Sequence, residues 1–164
     1  MLNRRFFALL LMSIITLVLA PSVSAAQPII FTFTNEYSFV RENLCDFPVQ
    51  FDFVEHVRVI AHVDGDGNTT RVVIPVNLVG TLTNVETGKT VSDRGHFTII
   101  RDVAAGTVTY VGLQYNLKVG GEQVAVRDIG RVVFDADGNV LFEAGPKDIV
   151  DGGRAAICPV LASS

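Results

Sequence analysis

The chain has 164 residues, of which 49% are hydrophobic, with 13 Lys and Arg against 17 Asp and Glu for a net charge of −4. This length supports one domain with a sizeable core and leaves little room for a second. An acidic chain whose basic residues are scattered singly repels phosphate backbones and anionic lipid headgroups. We therefore expect no nucleic acid partner.

The first 25 residues have the pattern of a secretory signal peptide. The basic pair Arg4-Arg5 precedes an apolar run, and that run ends in small residues up to Ala25. This pattern predicts cleavage between Ala25 and Ala26, which leaves a single secreted β domain at 26–164 in the extracellular space or the periplasm. The run is shorter than the roughly 20 residues that cross a bilayer, so we expect no integral membrane span after processing. A retained anchor is the alternative.

The two cysteines of the chain, Cys45 and Cys158, both lie in the predicted mature domain. An exported chain meets an oxidising compartment, where two such cysteines pair by default. In the chain-entropy model, a bridge across so long a loop stabilises the fold by about 4 to 5 kcal/mol. Two free thiols are the alternative, although neither cysteine belongs to a C-x-x-C motif.

From Ile29 onward, runs of β-branched and aromatic residues alternate with turn signals, which is typical of strands. Between the first two runs, Ser38 to Leu44 has the spacing of one helical turn, and the chain after Pro146 is irregular with room for a short helix. The predicted strands are 29–34, 47–63, 69–83, 90–101, 107–119, 123–135 and 139–144.

About seven to eight strands joined by short turns predict an all-β fold, an antiparallel meander with one disulfide. An open sheet leaves its edges exposed, so such a meander is expected to close into an up-and-down barrel or to fold over. The barrel is our leading expectation and a β-sandwich is the alternative.

The apolar face of the second run offers a candidate binding surface. Its odd positions are apolar apart from Glu55, which indicates a half-buried strand. In the fifth run, Val111 and Leu113 alternate in step with later apolar residues, which predicts that all of them share one face. For a small apolar ligand inside the sheet, with plain core packing as the competing explanation, the candidate lining residues are Phe51, Phe53, Val57, Tyr115 and Leu117.

Two acidic turns, beginning at Asp64 and Asp135, share the D-x-D-G-N start of a calcium-binding loop. A calcium loop of the EF-hand type requires a bidentate Glu at its twelfth position and flanking helices. The twelfth residues are Pro75 and Pro146, and both flanks are predicted strands. The turns are therefore predicted to close hairpins.

Histidines and a triad-like cluster are the residue types in this sequence that could carry chemistry. His56 and His62 share a predicted strand face, but six residues along a strand separate them by about 20 Å, too far for one metal ion. Ser92, Asp93 and His96 have triad residue types without a nucleophile elbow around the serine. The sequence thus assigns no catalytic residue, no metal ligand and no cofactor.

One stretch near the C-terminus carries a family resemblance. Residues 130–148 read GRVVFDADGNVLFEAGPKD, and a C-terminal Cys follows. In this stretch the chain resembles a group of small, uncharacterised secreted bacterial proteins with one Cys near each end. The resemblance implies a secreted β domain and no activity. In general outline the chain is also similar to lipocalin-like and allene-oxide-cyclase-like barrels, an analogy of fold alone.

Together these observations predict a non-catalytic secreted or cell-envelope domain that acts as a binding or interaction module. Its partner would be a small apolar ligand or another envelope component, and the oligomeric state is left open. The alternative is a small secreted enzyme, an isomerase, cyclase or hydrolase, with its active site in a barrel mouth. A His or Asp with a strongly perturbed pKa inside a cleft would favour that alternative.

Overall fold

The computed structural model describes residues 27–119, 123–146 and 154–162. The predicted signal peptide and its cleavage point between Ala25 and Ala26 lie outside these residues. The described part of the chain forms seven strands and one helix. These are β1 (Ile29–Arg41), β2 (Val49–Val63), β3 (Thr69–Asn84), β4 (Thr90–Asp102), β5 (Thr107–Val119), β6 (Gln123–Phe134), β7 (Val140–Ala144) and α1 (Arg154–Ala162).

The strands form one antiparallel sheet in chain order, β1 to β7, so each strand pairs with its sequence neighbours. The predicted all-β meander is confirmed. Within the described ranges β1 and β7 are the two edges of the sheet, and the sheet is not closed. Barrel closure therefore stays a prediction, with the sandwich as its alternative.

Strand β1 is twice as long as its sequence suggested, and the predicted helical turn from Ser38 to Leu44 is wrong. The strand pairs with β2 without interruption as far as Arg41, which lies opposite Val49. Alternation along β1 places Tyr37 and Phe39 on the same face as the aromatic residues of β2. Cross-strand aromatic pairing outweighs the weak helical spacing of this segment.

The sheet is strongly curled. Tyr37 of β1 and Tyr115 of β5 line one cavity, although four strand spacings separate β1 from β5. In a flat sheet those strands would lie about 19 Å apart. The face that carries both side chains is therefore concave, and we call it the inner face.

The hydrophobic core lies at one end of the inner face, where α1 packs against β3, β4 and β6. Burying one such Val or Leu side chain stabilises a fold by about 1.5 to 3 kcal/mol. The buried cluster combines strand and helix residues: Cys45, Val49, Phe53, Leu78, Leu82, Val91, Leu117, Val126, Ile157 and Leu161.

A disulfide between Cys45 and Cys158 joins the segment after β1 to the helix, with the two Cα atoms 5.5 Å apart. The predicted pairing is confirmed. A second tie is polar, since the buried amide of Asn84 donates a 3.4 Å hydrogen bond to the carbonyl oxygen of Leu161. The disulfide and this hydrogen bond thus anchor the C-terminal half of α1 to the body of the domain.

The two acidic turns are hairpin turns of matching geometry. The Asp64 carboxylate accepts a 2.8 Å hydrogen bond from the backbone N–H of Asn68, and Asp135 accepts one of 2.8 Å from Asn139. These hydrogen bonds lower the pKa of both carboxyls. The glycine before each Asn has a φ of +86°, which a residue without a side chain adopts freely.

Removal of the disulfide tests the contribution of this covalent tie. We expect the double variant Cys45→Ser/Cys158→Ser to unfold with a free energy lower by about 2 to 5 kcal/mol, because the unfolded chain regains the freedom of a long loop. Urea unfolding followed by far-UV circular dichroism measures this difference. A loss of less than about 1 kcal/mol would show that the bridge adds little.

Candidate ligand-binding site

A cavity of about 470 Å³ lies on the inner face, between the sheet and the end of the domain closed by α1. Ile157 of α1 and Leu44 of the loop between β1 and β2 form part of its wall, so the two segments that the disulfide links complete the site. Most of the remaining wall is aromatic or aliphatic. The polar lining residues are Arg41, Glu55, Asp93 and Gln114, together with three tyrosines.

Four of the five candidate residues from the sequence lie in this wall: Phe51, Phe53, Tyr115 and Leu117. The fifth, Val57, is buried further along β2 and does not line the cavity. The alternation rule thus identified the correct face of β2. Whether these residues bind a ligand stays a prediction.

One wall of the cavity is a stack of aromatic rings from β1 and β2. The rings of Phe39 and Phe51 are nearly parallel, with centroids 5.0 Å apart, and those of Tyr37 and Phe53 lie 5.6 Å apart. The guanidinium of Arg41 lies over both rings of the first pair, 5.7 Å and 6.0 Å from their centroids. This wall offers flat apolar surface and already accommodates one cation.

Around Gln114, strand β5 contains one extra residue relative to both of its neighbours, and β6 contains an extra residue of its own further along, opposite Leu117 and Lys118. Its pairing with β4 shifts between Ser92 and His96, and its pairing with β6 shifts between Leu113 and Tyr115. A bulge interrupts alternation, so neighbouring residues turn to the same side. Gln114 and Tyr115 accordingly both line the cavity.

Because of the bulge, the prediction that the odd-numbered residues of β5 all share one face is wrong. Val111 and Leu113 lie on the outer side of the sheet, opposite in facing to Tyr115 and Leu117, and Leu113 pairs with the outer-face His96. Apolar residues occupy odd positions on both sides of the bulge. The apolar residues therefore continue at odd positions along the sequence, although the odd positions lie on the outer face before the bulge and on the inner face after it.

Asp93 is the most unusual group in the wall, because it is a carboxyl with no exposed surface. Its Oδ1 accepts a 2.9 Å hydrogen bond from the backbone N–H of Asn116, an amide that the bulge leaves unpaired with β4. Its Oδ2 has no hydrogen-bond partner among the described residues. Burial raises the pKa of Asp93, against the opposing effect of backbone hydrogen bonds from Asn116 and Arg94.

Two tyrosines add hydroxyl groups to an acidic environment. The Tyr37 hydroxyl donates a 3.0 Å hydrogen bond to Oε1 of Glu55, and burial together with this carboxylate raises the pKa of Tyr37. Burial also raises the pKa of Tyr115, and the charges of Asp93 and Asp128 add to the effect. Both phenols therefore keep their protons and can act as hydrogen-bond donors.

No protein-family model matches the chain. Neither a curated protein nor a solved structure matches it. The resemblance drawn from residues 130–148 stays a prediction, and function must be argued from the cavity itself.

The triad residue types do not assemble. Asp93 faces the cavity, whereas alternation along β4 puts Ser92 and His96 on the outer face, where His96 hydrogen-bonds to Asn77. His56 also lies on the outer side, with its Nδ1 3.0 Å from the Thr34 hydroxyl oxygen. In the described part of the chain, no three His, Cys, Asp or Glu side chains are grouped to hold a metal, and no helix has the length and apolar character to span a membrane.

Several lining residues were missed from the sequence. Phe39 and Arg41 fell in the segment predicted as a helical turn, and Tyr37 fell in the break just before it, so their shared face was hidden. Glu55 did leave a signal, because it is the one polar residue in the alternating apolar face of β2. The sequence singled out Asp93 only beside Ser92 and His96 in the triad-like cluster, since a strand pattern does not distinguish a buried Asp from an exposed one.

Replacement of Asp93 by Asn tests the cost of burying this carboxyl. Because its pKa is raised in the folded state, its contribution to stability is full below the unfolded-state pKa and is lost as pH rises through the folded-state pKa. We expect the stability of Asp93→Asn relative to wild type to increase with pH, by at most about 1.4 kcal/mol per pH unit. Thermal unfolding from about pH 4 to pH 8 measures it.

The matched control is Asp52→Asn, which removes an exposed carboxylate on the outer face of β2, where it accepts a hydrogen bond from Ser38. A pH-independent difference between Asp93→Asn and wild type would contradict a raised pKa for Asp93. The control separates that effect from the general loss of one negative charge.

Proposed function

We propose that this protein is a secreted or cell-envelope binding protein whose inner cavity holds one small, largely apolar organic molecule. The observation that carries this proposal is the cavity of about 470 Å³, with aromatic walls and a few polar groups that face one space. Sites for small organic ligands typically have volumes of roughly 300 to 1,000 Å³ and this distribution of polar and apolar lining.

The apolar wall supports binding because part of it faces water. Phe39 is 38% exposed although its ring stacks on Phe51 and faces the cavity. A ligand that covers such surface gains about 25 cal/mol for each Å² of apolar area removed from water. The wall is also held by backbone pairing along the whole of β1, so little ordering is required on binding.

A barrel-like arrangement is the form of the sheet that we propose for this site. The curl that brings β1 and β5 around one cavity supports it. Apolar side chains are exposed on both edge strands, including Phe31 and Phe33 of β1 and Leu141 and Phe142 of β7. Closing the gap between these edges would shield part of that surface from water.

The proposed extracellular address rests on the leader and on the disulfide. Bonds such as that between Cys45 and Cys158 persist in oxidising compartments. We expect protein exported from an expressing bacterium to begin at Ala26, as read by N-terminal sequencing. Recovery of the full leader, beginning at Met1, would contradict the proposed export.

A comparison of two phenylalanines on β1 tests the binding proposal. The probe is N-phenyl-1-naphthylamine, an uncharged aromatic molecule whose fluorescence rises in apolar sites. We expect Phe39→Ala to weaken its binding by about tenfold, because part of the aromatic wall is lost. Phe31→Ala is the matched control, since Phe31 lies on the same face of the same strand, is 52% exposed and does not line the cavity.

Two outcomes would contradict the proposal. One is the absence of saturable binding to the wild-type protein. The other is an equal loss of affinity in both variants, which would place the probe on the general apolar surface of β1.

One observation favours a second function, catalysis in the same cavity. Asp93 combines burial, a raised pKa and an oxygen without a hydrogen-bond partner among the described residues, and such a carboxyl can act as a general acid or base. The reaction classes are those expected from the sequence, isomerisation, cyclisation or hydrolysis. Hydrolysis of 4-nitrophenyl acetate by wild type, absent in Asp93→Asn and retained in Asp52→Asn, would favour the hydrolase; equal rates in all three would exclude it for Asp93.

A further inference from the structure

Among the described residues, one buried acceptor in the cavity wall has no hydrogen-bond partner. Asp93 Oδ2 is buried and has no hydrogen-bond partner among them, while Oδ1 of the same carboxyl is held by the Asn116 amide. The bulge fixes the carboxyl in place, so its free oxygen is preorganised. A buried acceptor of this kind is stabilised by a donor that a ligand brings.

The other charged groups of the wall are already engaged. Glu55 accepts the hydroxyl hydrogen of Tyr37, and the Arg41 guanidinium lies over the rings of Phe39 and Phe51. Arg41 is the single cation among the described lining residues. Asp93 is therefore the carboxyl that a ligand's donor group would meet without displacing an existing contact.

The charged groups around the cavity indicate the charge of the ligand group that would meet Asp93. Burial raises the pKa of Tyr115 most, the charges of Asp93, Asp128 and Glu55 raise it further, and the charge of Arg41 lowers it. Three carboxyls and one cation thus act on this phenol, and that balance favours positive charge. An anionic ligand would be repelled by the same carboxylates. Aromatic faces attract cations, and the stacked rings of β1 and β2 already hold a guanidinium.

We propose that the ligand of this cavity is an organic amine, bound as its ammonium ion by Oδ2 of Asp93 while its apolar part lies against the stacked aromatic rings. This inference rests on the proposed binding function and names its ligand class. An ammonium ion supplies both the hydrogen bond and the countercharge that the described residues do not give Asp93. Burial raises the pKa of Asp93 against the opposing backbone hydrogen bonds from Asn116 and Arg94, and an ammonium ion beside it would favour the charged carboxylate.

The experiment compares three molecules that share a benzene ring and a short chain: 2-phenylethylamine, 2-phenylethanol and phenylacetate. Each is titrated against the complex of the mature protein with N-phenyl-1-naphthylamine at neutral pH. We expect the amine to displace the probe at a concentration about tenfold lower than the alcohol, because a charge-assisted hydrogen bond is stronger than a neutral one. The acid should be the weakest competitor.

Three variants assign the effect to one carboxyl. In Asp93→Asn, the concentrations of amine and alcohol that displace the probe should differ by no more than about twofold, since the charge-assisted hydrogen bond is lost. Asp52→Asn on the outer face should keep the wild-type preference. Loss of the preference in Glu55→Gln together with its retention in Asp93→Asn would overturn the assignment to Asp93.

The outcomes also separate this inference from the binding proposal. Equal displacement by amine and alcohol in the wild-type protein would overturn the amine inference and leave a cavity for neutral ligands. Failure of N-phenyl-1-naphthylamine itself to bind would overturn the binding function, and the inference with it. The preference for the amine is measured first on the wild-type protein. That result therefore stands even if the Asp93→Asn variant does not fold.

Discussion

The disulfide between Cys45 and Cys158 holds α1 against the inner face of the sheet, where the helix forms a second layer. A sheet must bury one face against another element, and in the described residues α1 is the helix that covers the inner face. The helix is only nine residues long and contains Pro159, so its own hydrogen bonds hold it weakly. Its covalent link to the segment after β1 keeps Ile157 and Leu161 in the core.

The cavity lies where this core ends and the curled sheet continues without a covering element. Its particular chemistry comes from the bulge of β5, which turns Gln114 and Tyr115 inward and leaves the Asn116 amide to the Asp93 carboxyl. The same local irregularity thus shapes the wall and fixes its charged group. Bulges are common where a strand must aim a side chain at a functional site.

Much of the fold was predictable because it follows local rules. Six of the seven strands begin and end within two residues of their predicted bounds, since alternation and turn residues mark them. The disulfide followed from there being two cysteines. The length of β1 was missed because its pairing with β2 is tertiary, and the bulge at Gln114 was missed because apolar residues continue on both sides. Asp93 appeared in the sequence only in the triad-like cluster, and its place in the cavity wall followed from its burial and its unpartnered Oδ2, which the structure shows.

The most direct test of this account is where a bound molecule lies in the domain. Isotope-edited nuclear Overhauser spectroscopy on the labelled mature protein with 2-phenylethylamine measures contacts between ligand and side-chain protons. An amine held at Asp93 is expected to show contacts from its ring to Phe39 and Phe51, and from its chain to Tyr115 near Asp93. Contacts confined to Phe31 and the far end of β1, outside the cavity, would contradict it.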